Sequence, residues 1–488
     1  MKTKEKTPKV KNPEAVGIKG HAGATLLEST NSVASSLMST VFMLYLTDYA
    51  GIGQWGAILG TVLLLVARLF DAVNDPLEGY IMDKAKVGKH GKYRPFLLLS
   101  VILTTVGCSA LFALPNGLEN NPVMICVWVV LFYLIFDIGS SFYAPQLLYR
   151  TMTLDGLERS KLLIGPRTAN MVISMIMSSM LAIVAAIANV TGSMKSGFAI
   201  AALGFGIFGA VLSVIGLAMT KEKYHASADN AEPVKLTDIV SLLKNNGALR
   251  IRMISTIFGG FIWTLLFATL NYYVKWAYCT DLSTGVVDSA LYGTLTMISG
   301  MMMISPLLLG TWIATPLMKK FGSPLKLSQF CLLAQAIPCG LLFVLHLIGV
   351  LQTSVFLFFG LVCIVCVAMG ISFVPNGAMS MEIMDYEIYK NGRDRSALCN
   401  ACSKFLDKAQ TALSSSLVGV LLIVIGYEVD SATDTFLGEL SQIPTMLTGF
   451  VVICGLLPFI LGIIAYLINR KYPITNEIRA AMKEKLGK

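Results

Sequence analysis

The chain has 488 residues, of which 55% are hydrophobic and only 14% charged, with a formal charge of +9 and a mean hydropathy of +0.69. That balance excludes an ordinary soluble domain and reads as an all-α polytopic membrane protein. The basic excess is confined to alternate loops, so it calls for no nucleic-acid partner.

At about 20 apolar residues per spanning helix, the sequence divides into twelve predicted spans: 22–48, 54–83, 95–115, 121–149, 163–190, 197–219, 249–277, 288–318, 325–348, 354–383, 398–427 and 441–469. The tail 1–21 is Lys-rich and shows no small-residue cleavage site, so the first span is expected to stay in the membrane. The loops DKAKVGKHGKYR, YRTMTLDGLERSK, MKKFGSPLK and YKNGRDR, the linker 221–248 and the tail 471–488 hold the basic residues. The loops between them carry Lys195 as their one basic residue. Positive loops stay inside, which predicts cytoplasmic termini in a multi-pass protein of the cell membrane. The ten cysteines mostly sit in apolar runs such as VCIVCV. They read as small buried hydrophobes, with no second Cys/His pair to complete a metal or redox site.

In span one, HAGATLLESTNSVAS sets Glu28 four residues before Ser32, on one helical face. A carboxylate this deep must face a cavity or a basic partner. Substrate contact, a gate salt bridge and a snorkelling side chain all satisfy that condition.

Span two runs from apolar GAILGTVLLLV into ARLFDAVNDPLEGY. A charge at the centre of a membrane helix costs about 2.5–3.5 kcal/mol, so Arg68, Asp71 and Asp75 must face protein or water. With 3.6 residues per turn, Arg68, Asp71, Asn74 and Asp75 share one side. Two carboxylates and an amide oxygen within a turn suit a monovalent cation, or a proton shared between acids. An internal ion-pair network with Arg68 neutralising Asp71 is the alternative. Glu78, a turn nearer the cytoplasm, is expected to reach the interface.

Span four carries FYLIFDIGSSFYAP, with Tyr133 and Asp137 one turn apart and Gly139, Ser140 and Ser141 leaving room beside them. A buried carboxylate with an adjacent ring holds polyols, accepting hydroxyls while the apolar sugar face packs on the ring. Helix packing by small residues is the competing reading. Arg167, in GPRTANM of span five, supplies a cation that neutralises Asp137, holds a substrate oxygen or anchors the interface.

The linker 221–248 separates a first six-span half, 22–220, from a second, 249–470. LEGYIMDKAKVGKHGKYRPF after span two is echoed by IATPLMKKFGSPLKLSQF after span eight. Parallel six-span repeats with a central site build a large transporter superfold. A membrane enzyme would need a loop bearing a nucleophile, metal ligands or a phosphate cradle, and none of these loops holds one.

The ARLFDAVNDP element, the basic turn GKHGKYRP, the Asp of span four, the PR of span five and DYEIYKNGRDRSALCNACSKFLDKAQTAL together resemble the glycoside-pentoside-hexuronide:cation symporter family, in its melibiose permease-like branch. The similarity runs along the whole chain. It implies the major facilitator fold, alternating access, and symport of a small-molecule sugar with Na+ or H+ across the lipid bilayer. It implies no other cofactor, and a functional monomer. A uniporter or exchanger on the same fold is the alternative.

By the same resemblance, Asp71, Asn74 and Asp75 form the cation (metal) site, and Asp137, Arg167 and Tyr133 hold sugar. Lys408 in span eleven couples the two sites, with Lys404 as the competing alignment and Asp407 as an ion-pair partner beside them. The chain departs from the pattern at Ser32 and Ser141, where the melibiose-type member has a sugar-binding Asp and a stacking Trp, which puts a galactoside substrate in question. Leu134 replaces a Thr associated with the cation site. Retained Asn74, a neutral oxygen ligand that a proton does not need, favours sodium. The basic loops DKAKVGKHGKYRP and MKKFGSPLK are expected to gate the cytoplasmic end by pairing with Asp83, Glu158 or Asp385.

Overall fold

A computed structural model describes residues 14–50, 59, 62–63, 66, 74–115, 121–224, 238–281, 284–425, 427 and 439–486. Arg68 and Asp71 lie outside the described residues. Helices occupy each predicted span, the second from residue 74 onward.

The spans end where the local chemistry stops them. Asn121, Ser354 and Asp288 accept hydrogen bonds from the first free backbone N–H groups of spans four, ten and eight, replacing partners the helix itself cannot supply. Gly322 and Gly392 close spans eight and ten at φ of 66° and 67°, a left-handed conformation that glycine adopts without a Cβ clash.

Three departures from the sequence reading have local causes. Span five bends by 48° between Gly156–Met177 and Met180–Thr191, where the Ser178 hydroxyl donates to the Met175 carbonyl at 2.6 Å and competes with the backbone ladder. Span twelve widens into a π turn, Val452–Leu456, just before Pro458, whose ring nitrogen cannot donate to the preceding turn. The helix of span four stops at Phe142, and Pro145 opens a separate helix, Pro145–Met152. The expected uninterrupted span to 149 is thus broken, leaving carbonyls without intrahelical partners.

Each half has its own apolar core: one centres on Phe42, Phe112, Tyr133 and Phe198, the other on Tyr273, Trp276, Phe358 and Phe450. A third straddles the halves near the basic loops, bringing Met82, Phe142 and Leu147 against Leu249, Met379 and Leu398. The linker is partly helical, over Asp238–Asn245, with Leu242 buried in this third cluster. Gly79 lets the helix 74–84 lie against span eleven: a Cβ there would come 2.9 Å from the Ala397 carbonyl oxygen and from the Ala401 methyl. That close approach brings the acids of span two to the lysines of span eleven.

Candidate functional site

Asp75 and Glu78 are almost wholly buried, at 3% and 2% exposure, although neither has a membrane-compatible side chain. The Asn74 amide donates to Glu78 Oε1 at 2.6 Å. Glu78 therefore turns inward and does not reach the interface, contrary to the sequence reading, because Asn74 one turn earlier satisfies part of its carboxylate. From span eleven, Lys408 Nζ lies 3.1 Å from both Asp75 oxygens. Asp75, Asp137 and Lys404 surround Glu78 within electrostatic reach. The structure thus gathers the buried Asn74, Asp75, Glu78 and Asp137 and the half-buried Lys404 and Lys408 into one polar cluster.

The lysines, equivalent in the sequence, differ in place. Lys408 pairs with Asp75. Lys404 donates to the carbonyls of Ser141, at 2.9 Å, and Tyr143, the two exposed where Pro145 ends span four. A cation at a helix C-terminus is favoured by free carbonyls and the helix dipole alike. Ser141 therefore contributes its backbone oxygen, while its side chain is buried.

Adjoining this cluster is a cavity of about 610 Å³ between the halves. Glu28, Asn31, Tyr143 and Arg167 line it from the first half, with Arg252, Trp263, Phe373, Asn400, Lys404, Asp407 and Gln410 from the second. Lys404 belongs to both cavity and cluster. The Tyr143 hydroxyl donates to Glu28 Oε2 at 2.6 Å, and Asn31 and Ser32 donate to its other oxygen at 3.4 and 3.3 Å. Ser32, fully buried, also accepts from Asn170 at 2.9 Å. The Arg167 guanidinium stacks over the Phe373 ring at 4.4 Å, an attraction between cation and ring quadrupole that crosses the halves.

Among the described lining residues, Glu28, Arg167 and Lys404 are present; Asp137, Tyr133, Ser32 and Ser141 are not. Asp137 is 6% exposed and belongs with the acids around Glu78. Tyr133 packs in the apolar core, 5.8 Å from the Phe42 ring and 5.9 Å from that of Phe136. Tyr143, Asn170, Arg252 and Phe373 escaped the sequence reading. Two of them carried a signal: Tyr143 stands near the Pro that frees a span end, and Arg252 is a charge inside the predicted span 249–277.

At the end bearing the basic loops, ion pairs join the halves. Asp385 takes Arg159 at 2.5 Å and Arg150 at 3.3 Å, and Asp394 takes Arg150 at 3.5 Å and Lys92 at 3.6 Å. Burial opposes ionisation of Asp394, yet Arg150, Lys92 and the Ser396 donors hold its pKa down at about 2. The expected gate is corrected in detail. Asp83 accepts from the Ala397 and Leu398 backbone N–H groups at 2.8 and 2.9 Å, at a helix start where a carboxylate is favoured. Glu158 stays in its own half, with Lys161, His21 and the Val16 amide. Asp385 lies beyond the predicted end of span ten because Val355–Asn391 runs about 55 Å at 1.5 Å per residue.

A family model described as MFS/sugar transport protein matches residues 27–476. The chain is 26% identical over 439 residues to the "Uncharacterized symporter YjmB" of Bacillus subtilis, covering 88% of each chain. It is also 26% identical over 409 residues to the "Putative glycoside/cation symporter YagG" of Escherichia coli, covering 81% of this chain and 80% of that one. Among solved structures it is similar to the E. coli fucose:proton symporter FucP, with a TM-score of 0.63, 14% identity, and coverage of 94% of this chain and 99% of the other. That likeness bears out the all-α major facilitator fold. The chain is a multi-pass membrane transporter rather than an enzyme, and it belongs to the MFS/sugar transport protein family.

Proposed function

We propose that this transporter moves a sugar in symport with a cation, sodium in the first place, by alternating access between its halves. The observation that carries the reading is Lys404, which lines the cavity while lying within electrostatic reach of the Asp75–Glu78 cluster. One side chain joins a sugar-sized volume to a group of buried acids. The name of YagG pairs a glycoside with a cation, which supports the same reading.

In this mechanism Asp71, Asn74 and Asp75 hold the cation, and Lys408 occupies Asp75 when the cation is away. The Asn74 oxygen suits sodium, which needs several oxygen ligands, and has no use for a proton. Glu28, Arg167 and Asp137 hold the sugar, directly or through the residues between them. Binding of either ligand raises affinity for the other by the same factor. The ion pairs of Asp385 and Asp394 close the cytoplasmic end, in the orientation that the basic loops favour.

Reconstituted vesicles given a panel of glycosides, pentosides and hexuronides under sodium, lithium or proton gradients test the proposal. Uphill accumulation of one sugar driven by sodium is expected. Counterflow that ignores every cation gradient would establish the uniporter or exchanger instead.

A further inference from the structure

Three charged side chains face the cavity without a hydrogen bond to another described residue: Arg167, Arg252 and Asp407. Glu28, by contrast, is held by Tyr143. Arg252 has so far been given no role, and Asp407 only that of an ion-pair partner to the lysines of span eleven. A charge within a membrane helix costs about 2.5–3.5 kcal/mol where it meets lipid; Arg252 and Asp407 avoid that cost by facing the cavity within electrostatic reach of each other.

Arg252 lies on Gly247–Tyr278 and Asp407 on Ser396–Val424. The two helices touch closely, since a Cβ on Gly260 would come 2.6 Å from the Gln410 amide carbon. The pair therefore lies on two helices packed against each other. Arg252 and Arg167 both lie within electrostatic reach of Asp407, so a guanidinium from each half and a carboxylate surround one volume. Hydroxyl-rich ligands match this set: a carboxylate accepts from two hydroxyls, and a guanidinium donates its paired N–H groups to hydroxyl oxygens.

We propose that Arg252 and Asp407 form the second-half wall of the sugar site, so that a bound sugar bridges Arg167 and this pair. The inference rests on the reading of the cavity as a sugar site. It assigns substrate contact to two residues of the second half and makes sugar occupancy sensitive to the separation of the halves.

The test uses the full chain in vesicles and, as probe, whichever of methyl glucoside, methyl galactoside, methyl xyloside and methyl glucuronide the wild type accumulates best. Hydrogen bonds to charged groups contribute about 1.5–3 kcal/mol, so Asp407→Asn and Arg252→Gln should each weaken sugar affinity about 10-fold or more. Sodium binding by calorimetry should stay within about twofold of wild type. Arg252→Lys and Asp407→Glu, which retain the charge and guard against misfolding, should weaken sugar binding less but measurably. Unchanged sugar affinity in all four variants overturns the proposal. So does full recovery of sugar affinity in the exchanged double variant Arg252→Asp with Asp407→Arg, which would mark a pair that only joins spans seven and eleven. A wild type that accumulates no probe under any gradient sinks the sugar-symport reading and this inference together; active transport with unaffected variants sinks this inference alone.

Discussion

Lys408 places its ammonium 3.1 Å from both oxygens of Asp75, a cation supplied by span eleven to an acid of span two. The pair joins the two halves of the chain inside the membrane. If Lys408 stands in for the transported cation, Lys408→Gln should keep or tighten sodium binding while uphill sugar accumulation is lost. Asp75→Cys should abolish both. Loss of sodium binding in Lys408→Gln would instead mean that the lysine holds the site together.

Asp137 lies with the acids around Glu78, whereas Arg167 lines the cavity. Asp137→Ala is therefore expected to weaken sugar and sodium binding together, and Arg167→Lys to weaken sugar alone, since a lysine lacks the planar fork of donors. Calorimetry of each ligand separately checks both. Normal sodium binding in Asp137→Ala would return that residue to the sugar site alone.

Tyr143 holds Glu28 at 2.6 Å, so the two test one another. Glu28→Gln should lower sugar affinity and leave sodium affinity unchanged. Tyr143→Phe should do so by a smaller factor, because Asn31 and Ser32 still donate to the carboxylate. Slowed transport at unchanged affinity in Glu28→Gln would assign the residue to gating.

Asp385 accepts two buried guanidinium groups, and breaking such a pair costs about 3–5 kcal/mol. Asp385→Asn should shift the protein toward a state open at the basic-loop end, read as faster maleimide labelling of Ala397→Cys, a position fully buried here. Unaltered labelling would show that Asp385 does not hold that end shut.

The pH response follows from Asp394, whose pKa is held at about 2. A depressed carboxylate pKa contributes stability in full above the unfolded value near 4, lost as pH falls through the folded value. Labelling of the same cysteine, normalised at each pH to that of a solvent-exposed cysteine because the thiolate is the reactive form, should therefore be independent of Asp394 titration between about pH 5 and 8 and rise only below about pH 4. A transition in the labelling rate near neutrality that Asp394→Asn removes would contradict this assignment.

Sequence alone determined the spans, because an apolar run of membrane length has few other stable forms. It also singled out Asn74, Asp75, Asp137, Arg167 and the two lysines, since ionisable groups are costly in lipid and announce themselves wherever they occur. Tertiary structure decided how those groups divide. Lys404 and Lys408 share one helical face, and only the break at Pro145 and the close approach at Gly79 give them different partners. Tyr133 is one turn from Asp137, yet its ring belongs to an apolar core assembled with Phe42 from span one. Glu28, Arg252 and Asp407 meet around one cavity from spans one, seven and eleven. Helical periodicity fixes which residues share a face of one helix, but which helix that face meets depends on packing between segments hundreds of residues apart, for which the spacing of residues within a span carries no signal.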